Sequence, residues 1–169
     1  HYDEPIPLQT TAMNEISTIL GGAEQVEEAI DNLRRKAAPT LIGIASTALT
    51  ETRGEDVAGE LRALRDRRSD LADTAVVYAS TPDFIGGLED GWARAVTAMV
   101  EALVPPPQRK RAEQVNLFAG SHLTAADVEE LAALVRAFGL EPIVFPDLST
   151  SLDGHVEDDW RGTSRGGTP

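Results

Sequence analysis

A chain of 169 residues that is 41% hydrophobic and 25% charged has the composition of a soluble globular protein, with enough length for one ordinary domain or two small ones. Its 28 acidic and 15 basic side chains leave a net charge of -13. This excludes general affinity for a phosphate backbone, and the one local basic run, Arg109-Lys110-Arg111, is too short to restore it. The absence of cysteine excludes disulfides and thiolate metal ligands from this chain, and no run approaches the ~18 apolar residues of a membrane span.

The opening His1-Tyr2-Asp3 is not an initiator sequence and reads as an internal start. Met13 to Leu20 reads as a short helix, broken at Gly21-Gly22. Ala23 to Lys36 carries Val26, Ile30 and Leu33 four and three residues apart, the spacing of one helical face. Pro39 stops that helix. Leu41 to Ala45 then forms an apolar run without alternation, which predicts a strand buried on both faces of a parallel sheet. The following loop, Ser46 to Gly54, holds hydroxyls, one carboxylate and one arginine, and emerges at the carboxyl edge, where open α/β sheets bind ligands. It has no Cys, no His and no glycine-rich phosphate fingerprint. Asp56 to Arg68 is a helix with Val57, Leu61 and Leu64 on one face and acids Glu55 and Asp56 at its positive end.

Thr74 to Ala79 predicts the next buried strand, adjacent to the first, and ends in the turn Ser80-Thr81-Pro82-Asp83. Gly86-Gly87 leads into a helix through Val104 with an apolar stripe of Trp92, Val96, Met99, Val100 and Leu103. Pro105 to Pro107 forbid its continuation and, with the charged run to Glu113, predict a linker. A second unit follows: strand Val115 to Ala119, turn Gly120-Ser121-His122, and helix Thr124 to Phe138, with Asp127 completing a capping box. Val128, Leu131, Leu134, Val135 and Phe138 predict its buried stripe, Gly139 its C-terminal cap, and Pro142 to Phe145 a last strand before a polar tail. The fold class is therefore α/β with parallel sheets: a first unit over 1–104, a linker over 105–113 and a second unit over 114–169. The second unit reads as unfinished, so the parent protein is expected to continue past Pro169. Strands of buried type without later strands to cover them also predict a fragment prone to association.

Local readings come first for the chemistry-bearing side chains. Asp83, between Pro82 and Phe84, reads as a turn-capping carboxylate, with a cluster or metal contact as the alternative. Glu51 and Arg53 read as a surface pair, or as support for a partner subunit. Glu55-Asp56 reads as helix-start electrostatics rather than a metal site. His122 and His155 read as exposed loop histidines, having no third ligand in view. Trp92 and Trp160 read as packing residues, and Arg109 to Arg111 as solvated linker. Nothing resembles a nucleophile–base–orienter set.

Four stretches carry a resemblance that spans the chain in order: E-P-I-P-L-Q-T-T-A-M-N-E-I-S-T-I-L-G-G (Glu4 to Gly22), S-T-A-L-T-E-T-R-G-E-D-V (Ser46 to Val57), S-T-P-D-F-I-G-G-L-E-D-G-W (Ser80 to Trp92) and S-L-D-G-H-V (Ser151 to Val156). Together they resemble the nitrogenase component 1 family, in particular the β-type subunit of the scaffold on which the iron–molybdenum cofactor is matured. The resemblance implies Rossmann-like, three-layer αβα units and an α2β2 assembly with NifE. It also implies precursor delivery by NifB, docking of the nitrogenase iron protein and a cytoplasmic location. The parent complex would carry a 4Fe-4S cluster and the iron–molybdenum cofactor precursor.

In the catalytic β subunit of that family, a cysteine at the place of Ala48 ligates the eight-iron P-cluster, and a serine at the place of Asp83 approaches it on oxidation. A methyl group cannot ligate iron. The resemblance therefore implies that Thr47, Ala48 and Asp83 line a cluster whose thiolates come from elsewhere, with no catalytic residue and no metal ligand in this segment. Two other classes stay open: a β-type subunit of a redox enzyme, either nitrogenase or a protochlorophyllide or chlorophyllide reductase, and a plain α/β binding module.

Overall fold

The computed structural model describes residues 7–11, 23–48, 51, 56–106 and 111–147. Its chain divides into two compact units, one over Pro5–Pro82 and the other taking in the described residues from Asp83 onward. The expected helix Met13 to Leu20, with Arg53, Glu55, Arg109, Lys110, His155 and Trp160, lies outside the described residues.

In the N-terminal unit α1 (Ala23–Ala37), β1 (Leu41–Ala45), α2 (Val57–Arg67) and β2 (Ala75–Ala79) follow one another, with a short 3₁₀ turn at Ser69–Leu71. The strands pair in parallel, from Leu41 opposite Ala75 to Ala45 opposite Ala79. Partners in a parallel ladder share a face, so Ile42, Ile44, Val76 and Tyr78 line one side of the sheet. Against them pack Ile30 of α1, Leu61 and Leu64 of α2, and Leu71, with Val26, Leu33 and Val57 at the margin. Burial of each such side chain contributes about 1.5–3 kcal/mol. Asp56 starts α2 by accepting from the Gly59 amide at 2.8 Å, the cap that its position before the apolar stripe predicts.

The paired strands differ from expectation on one point. β2 is buried along most of its length, but Gly43 and Ala45 of β1 are exposed. Both helices cover the same side of the sheet, and a Cβ added at Gly43 would meet nothing within 4 Å. Among the described residues the sheet has two strands. Unbroken apolar character thus identified the strand correctly and overstated its burial.

An ion-pair network that the sequence reading did not anticipate ties α1 to the end of α2. Arg68 reaches Glu27 at 2.9 Å, Asp31 at 2.7 Å and Asp70 at 2.7 Å. Arg34 pairs with Asp70 at 2.7 Å and also donates to its backbone carbonyl. Hydrogen bonding by Arg68, and secondarily by Arg34, holds the Asp70 carboxyl well below the usual range. Arg67 and Arg68 lower that of Glu27 in the same way.

The C-terminal unit runs α3 (Leu88–Leu103), β3 (Gln114–Leu117), α4 (Ala125–Ala137) and β4 (Glu141–Val144). β3 and β4 pair in parallel, with Gln114 opposite Glu141 and Leu117 opposite Val144. Thr124 Oγ1 accepts from the Asp127 amide at 3.2 Å while Asp127 Oδ2 accepts from the Thr124 amide at 2.8 Å, so the capping box forms. Gly139, at φ 75°, supplies the left-handed cap.

The buried stripe of α4 is Ala125, Val128 and Ala132. Leu131 and Val135 are half-buried, whereas Leu134 and Phe138 face outward, Phe138 being 76% exposed. α4 thus buries a narrow stripe centred on Val128 between two alanines, and Leu134 and Phe138 fall on the far flank.

α3 also departs from expectation. Its stripe is half-buried at Trp92, Val96, Met99, Val100 and Leu103, with no residue fully buried. Trp92 Nε1 donates to the Ala119 carbonyl at 2.8 Å, and Glu89 accepts from Ser121 at 2.7 Å. These bonds draw α3 into the C-terminal unit, so the compact units part between Pro82 and Asp83 rather than across 105–113. The helix still ends before the prolines, with Val104 already extended.

Two stability outcomes follow. Val128→Ala should cost about 1–3 kcal/mol and Leu134→Gln less than about 0.5, read from denaturant midpoints. Arg68→Ala should lower the melting temperature near neutral pH, with its difference from wild type shrinking in 1 M salt. Because Asp70 and Glu27 have depressed folded-state pKa values, their contribution is present above their unfolded values and disappears as pH falls through the folded ones. The Arg68→Ala difference should therefore also shrink below about pH 4.

Candidate functional site

Two parallel strands end together, so the segments after β1 and β2 meet at the carboxyl edge of the N-terminal sheet. Ser46 extends the ladder by one bond, its amide donating to the Ala79 carbonyl at 3.1 Å. Side chains then close the edge. Ser46 Oγ donates to Glu51 Oε1 at 2.5 Å and accepts from the Thr81 amide at 2.9 Å. Thr81 Oγ1 returns a bond to the Ser46 carbonyl at 3.0 Å. Tyr78 OH, one residue short of the end of β2, donates to the same Glu51 oxygen at 2.9 Å.

This placement follows from local sequence. Tyr78 shares a face with Ile44, so its ring joins the core while its hydroxyl reaches the rim. The Glu51 amide donates to the Thr47 carbonyl at 3.2 Å, folding the loop into a helical turn and turning Glu51 back toward the strand ends. Burial pushes the Tyr78 phenol up from its ordinary pKa. Ser46 opposes that shift, and the adjoining Glu51 carboxylate reinforces it.

Of the expected site residues, Thr47 is exposed at the start of this turn and Ala48 is half-buried within it. Asp83 is exposed and belongs to the C-terminal unit, in the turn that begins there. Glu51 accepts from Ser46 and Tyr78, two residues absent from the expected site, and its expected partner Arg53 lies outside the described residues. The available signal was positional: a hydroxyl directly after one strand and a tyrosine near the end of its neighbour both lie at one edge.

The chemistry of this edge is restrained. Ser46 is 8% exposed and committed to two partners, which leaves it poorly placed to attack a substrate. Among the described residues no three His, Cys, Asp or Glu side chains converge as metal ligands. The residues therefore do not fit an iron–sulfur cluster as its ligands, although small and hydroxylated side chains suit a surface that borders one.

A second polar group lies in the C-terminal unit. Ser121 Oγ and His122 Nδ1 both bond to Glu89 Oε1, at 2.7 and 2.8 Å, and hydrogen bonding, first from Ser121 and then from His122, lowers the Glu89 pKa. Both bonds go to the carboxylate and none joins serine to imidazole, so this is not a nucleophile–base pair. His122 is exposed, as its loop position predicts.

Parallel βαβ units with polar loops at the carboxyl edge define a Rossmann-like α/β protein. The sequence profile of the nitrogenase component 1 type oxidoreductases matches residues 1–169, and the chain belongs to that family. It is 63% identical, over 99% of its length, to the nitrogenase iron-molybdenum cofactor biosynthesis protein NifN of Rhodobacter capsulatus, covering 37% of that relative. NifN of Mesorhizobium japonicum is 51% identical with the same coverage, and NifN of Nostoc sp. is 46% identical, with 38% of that relative covered. A solved chain of nitrogenase Cp1 at pH 6.5 aligns over 99% of this chain and 36% of its own length, at 28% identity and a TM-score of 0.78. The chain thus spans between a third and two fifths of the relatives it matches.

Glu51→Gln removes the negative charge beside Tyr78 while keeping an acceptor oxygen. Tyr78 should then ionise at a lower pH than in wild type, as read by ultraviolet difference titration with Tyr78→Phe assigning the signal.

Proposed function

We propose that this chain is part of the β-type subunit of a scaffold that matures the nitrogenase iron–molybdenum cofactor. The observation that carries the reading is the 63% identity, over 99% of the chain, to a relative named for that biosynthesis. Likeness to a solved nitrogenase chain is much lower, at 28%, which favours the scaffold over the catalytic subunit.

The site chemistry agrees with the reading. At the place where the resemblance puts a P-cluster cysteine in the catalytic subunit, this chain has Ala48, and it contains no cysteine anywhere. Thr47 and Ala48 would border a cluster held by thiolates from other segments or from a partner, and the same role is proposed separately for Asp83. The segment then acts as a wall that shapes the cluster's surroundings and excludes water, with no catalytic residue of its own. The partners proposed for the parent are NifE in an α2β2 assembly, NifB as precursor donor and the nitrogenase iron protein. The parent would be cytoplasmic and carry a 4Fe-4S cluster, with the cofactor precursor as its cargo.

The test is iron quantitation with electron paramagnetic resonance on the anaerobically purified parent complex, on residues 1–169 alone and on Ala48→Cys in the parent. The wild-type complex should bind a 4Fe-4S cluster, the isolated segment none, and Ala48→Cys should raise iron content or alter the spectrum. A wild-type complex without iron, or stoichiometric cluster on the isolated segment, would overturn the reading.

A further inference from the structure

We infer that Glu51 is a positioning residue, whose carboxylate clasps the ends of β1 and β2 and so sets the conformation of the loop that carries Thr47 and Ala48. The functional part of this inference rests on the scaffold reading above; the clasp itself does not.

The backbone ladder alone leaves that loop weakly specified. Among the described residues, the Ser46 amide bonds to the Ala79 carbonyl beyond the end of β1, and Ser46 and Thr47 have no strand geometry. Side chains add to the closure of the edge, and one oxygen joins two sources of constraint. Glu51 Oε1 accepts from Ser46, at the root of its own loop, and from Tyr78, on the neighbouring strand. Ser46 in turn holds the Thr81 amide. Removing the carboxylate therefore releases the turn from its root and from β2 together.

Burial makes the arrangement directional. Ser46 is nine-tenths buried, so its hydroxyl has little water to substitute for a lost acceptor. Hydrogen bonds to an ionised acceptor are also the stronger kind. Thr47 and Ala48 lie between the two anchored points, Ser46 and Glu51, and the Thr47 carbonyl receives the Glu51 amide. Their positions are consequently set by a carboxylate three residues beyond Ala48. A glutamine can retain the acceptor oxygen, whereas an alanine cannot.

The experiment uses the parent protein with its α-type partner, comparing wild type, Glu51→Ala, Glu51→Gln and Tyr78→Phe. Hydrogen–deuterium exchange reads the amides of Glu51 and Thr81, and electron paramagnetic resonance reads the bound cluster. For Glu51→Ala, exchange at both amides should be about tenfold faster or more, the size expected for losing a charged hydrogen bond, and the cluster signal should change shape at unchanged melting temperature of the distant core. Glu51→Gln should restore most of both readouts, and Tyr78→Phe should give a smaller effect in the same direction. Unchanged exchange in Glu51→Ala would overturn the clasp. Faster exchange with an unchanged cluster signal would overturn the positioning role while leaving the scaffold reading intact. A wild-type complex without a cluster would remove the scaffold reading, and with it the functional half of the inference, while exchange still decided the clasp.

Discussion

Parallel pairing of Leu41–Ala45 with Ala75–Ala79 is the constraint on which the N-terminal unit depends. Such strands cannot be joined by a tight turn, so the intervening chain must cross back over the sheet, and α2 does so. The crossover delivers Leu61 and Leu64 onto the same face as Ile42 and Val76. It also fixes both strand ends at one edge, the reason that residues far apart in the chain, Ser46 and Tyr78, converge on a single carboxylate. Core and candidate site are two consequences of one topological choice.

Charge follows the same economy of position. A chain with net charge -13 has few cations to distribute, and Arg34, Arg67 and Arg68 gather where α1 meets the end of α2. There they neutralise Glu27, Asp31 and Asp70, carboxylates that would otherwise repel across the helix contact. Such partly exposed pairs are individually weak, but a shared guanidinium orders several at once. At the opposite edge the Glu51 carboxylate meets the hydroxyl donors Ser46 and Tyr78 instead.

That contrast bears on what the family can build on one scaffold. Hydroxyls and one carboxylate, with no thiolate, hold the strand ends beside Ala48. On the proposed reading, the side chain at the position of Ala48 separates ligating iron from bordering it, within one fold. The likeness of this chain to a solved nitrogenase chain over 99% of its length, at only 28% identity, accords with such conservation of frame.

Much of the frame was legible in the sequence. Periodic apolar residues located all four described helices of eight residues or more, unbroken apolar runs located β1 and β2, β3 and β4 begin one residue before their expected starts, and Thr124 with Asp127 marked a helix start that formed as expected. These features arise from near neighbours in the chain, where local chemistry dominates. Tertiary structure decided the rest. It turned Leu134 and Phe138 outward while Ala125, Val128 and Ala132 took the buried stripe, and it left Gly43 and Ala45 exposed while their partners Val77 and Ala79 are buried. It moved α3 to the C-terminal unit through Trp92 and Ala119, and it joined Ser46, Glu51 and Tyr78 at one oxygen. Each of these outcomes depends on which surfaces meet in space, and linear spacing carries no record of that.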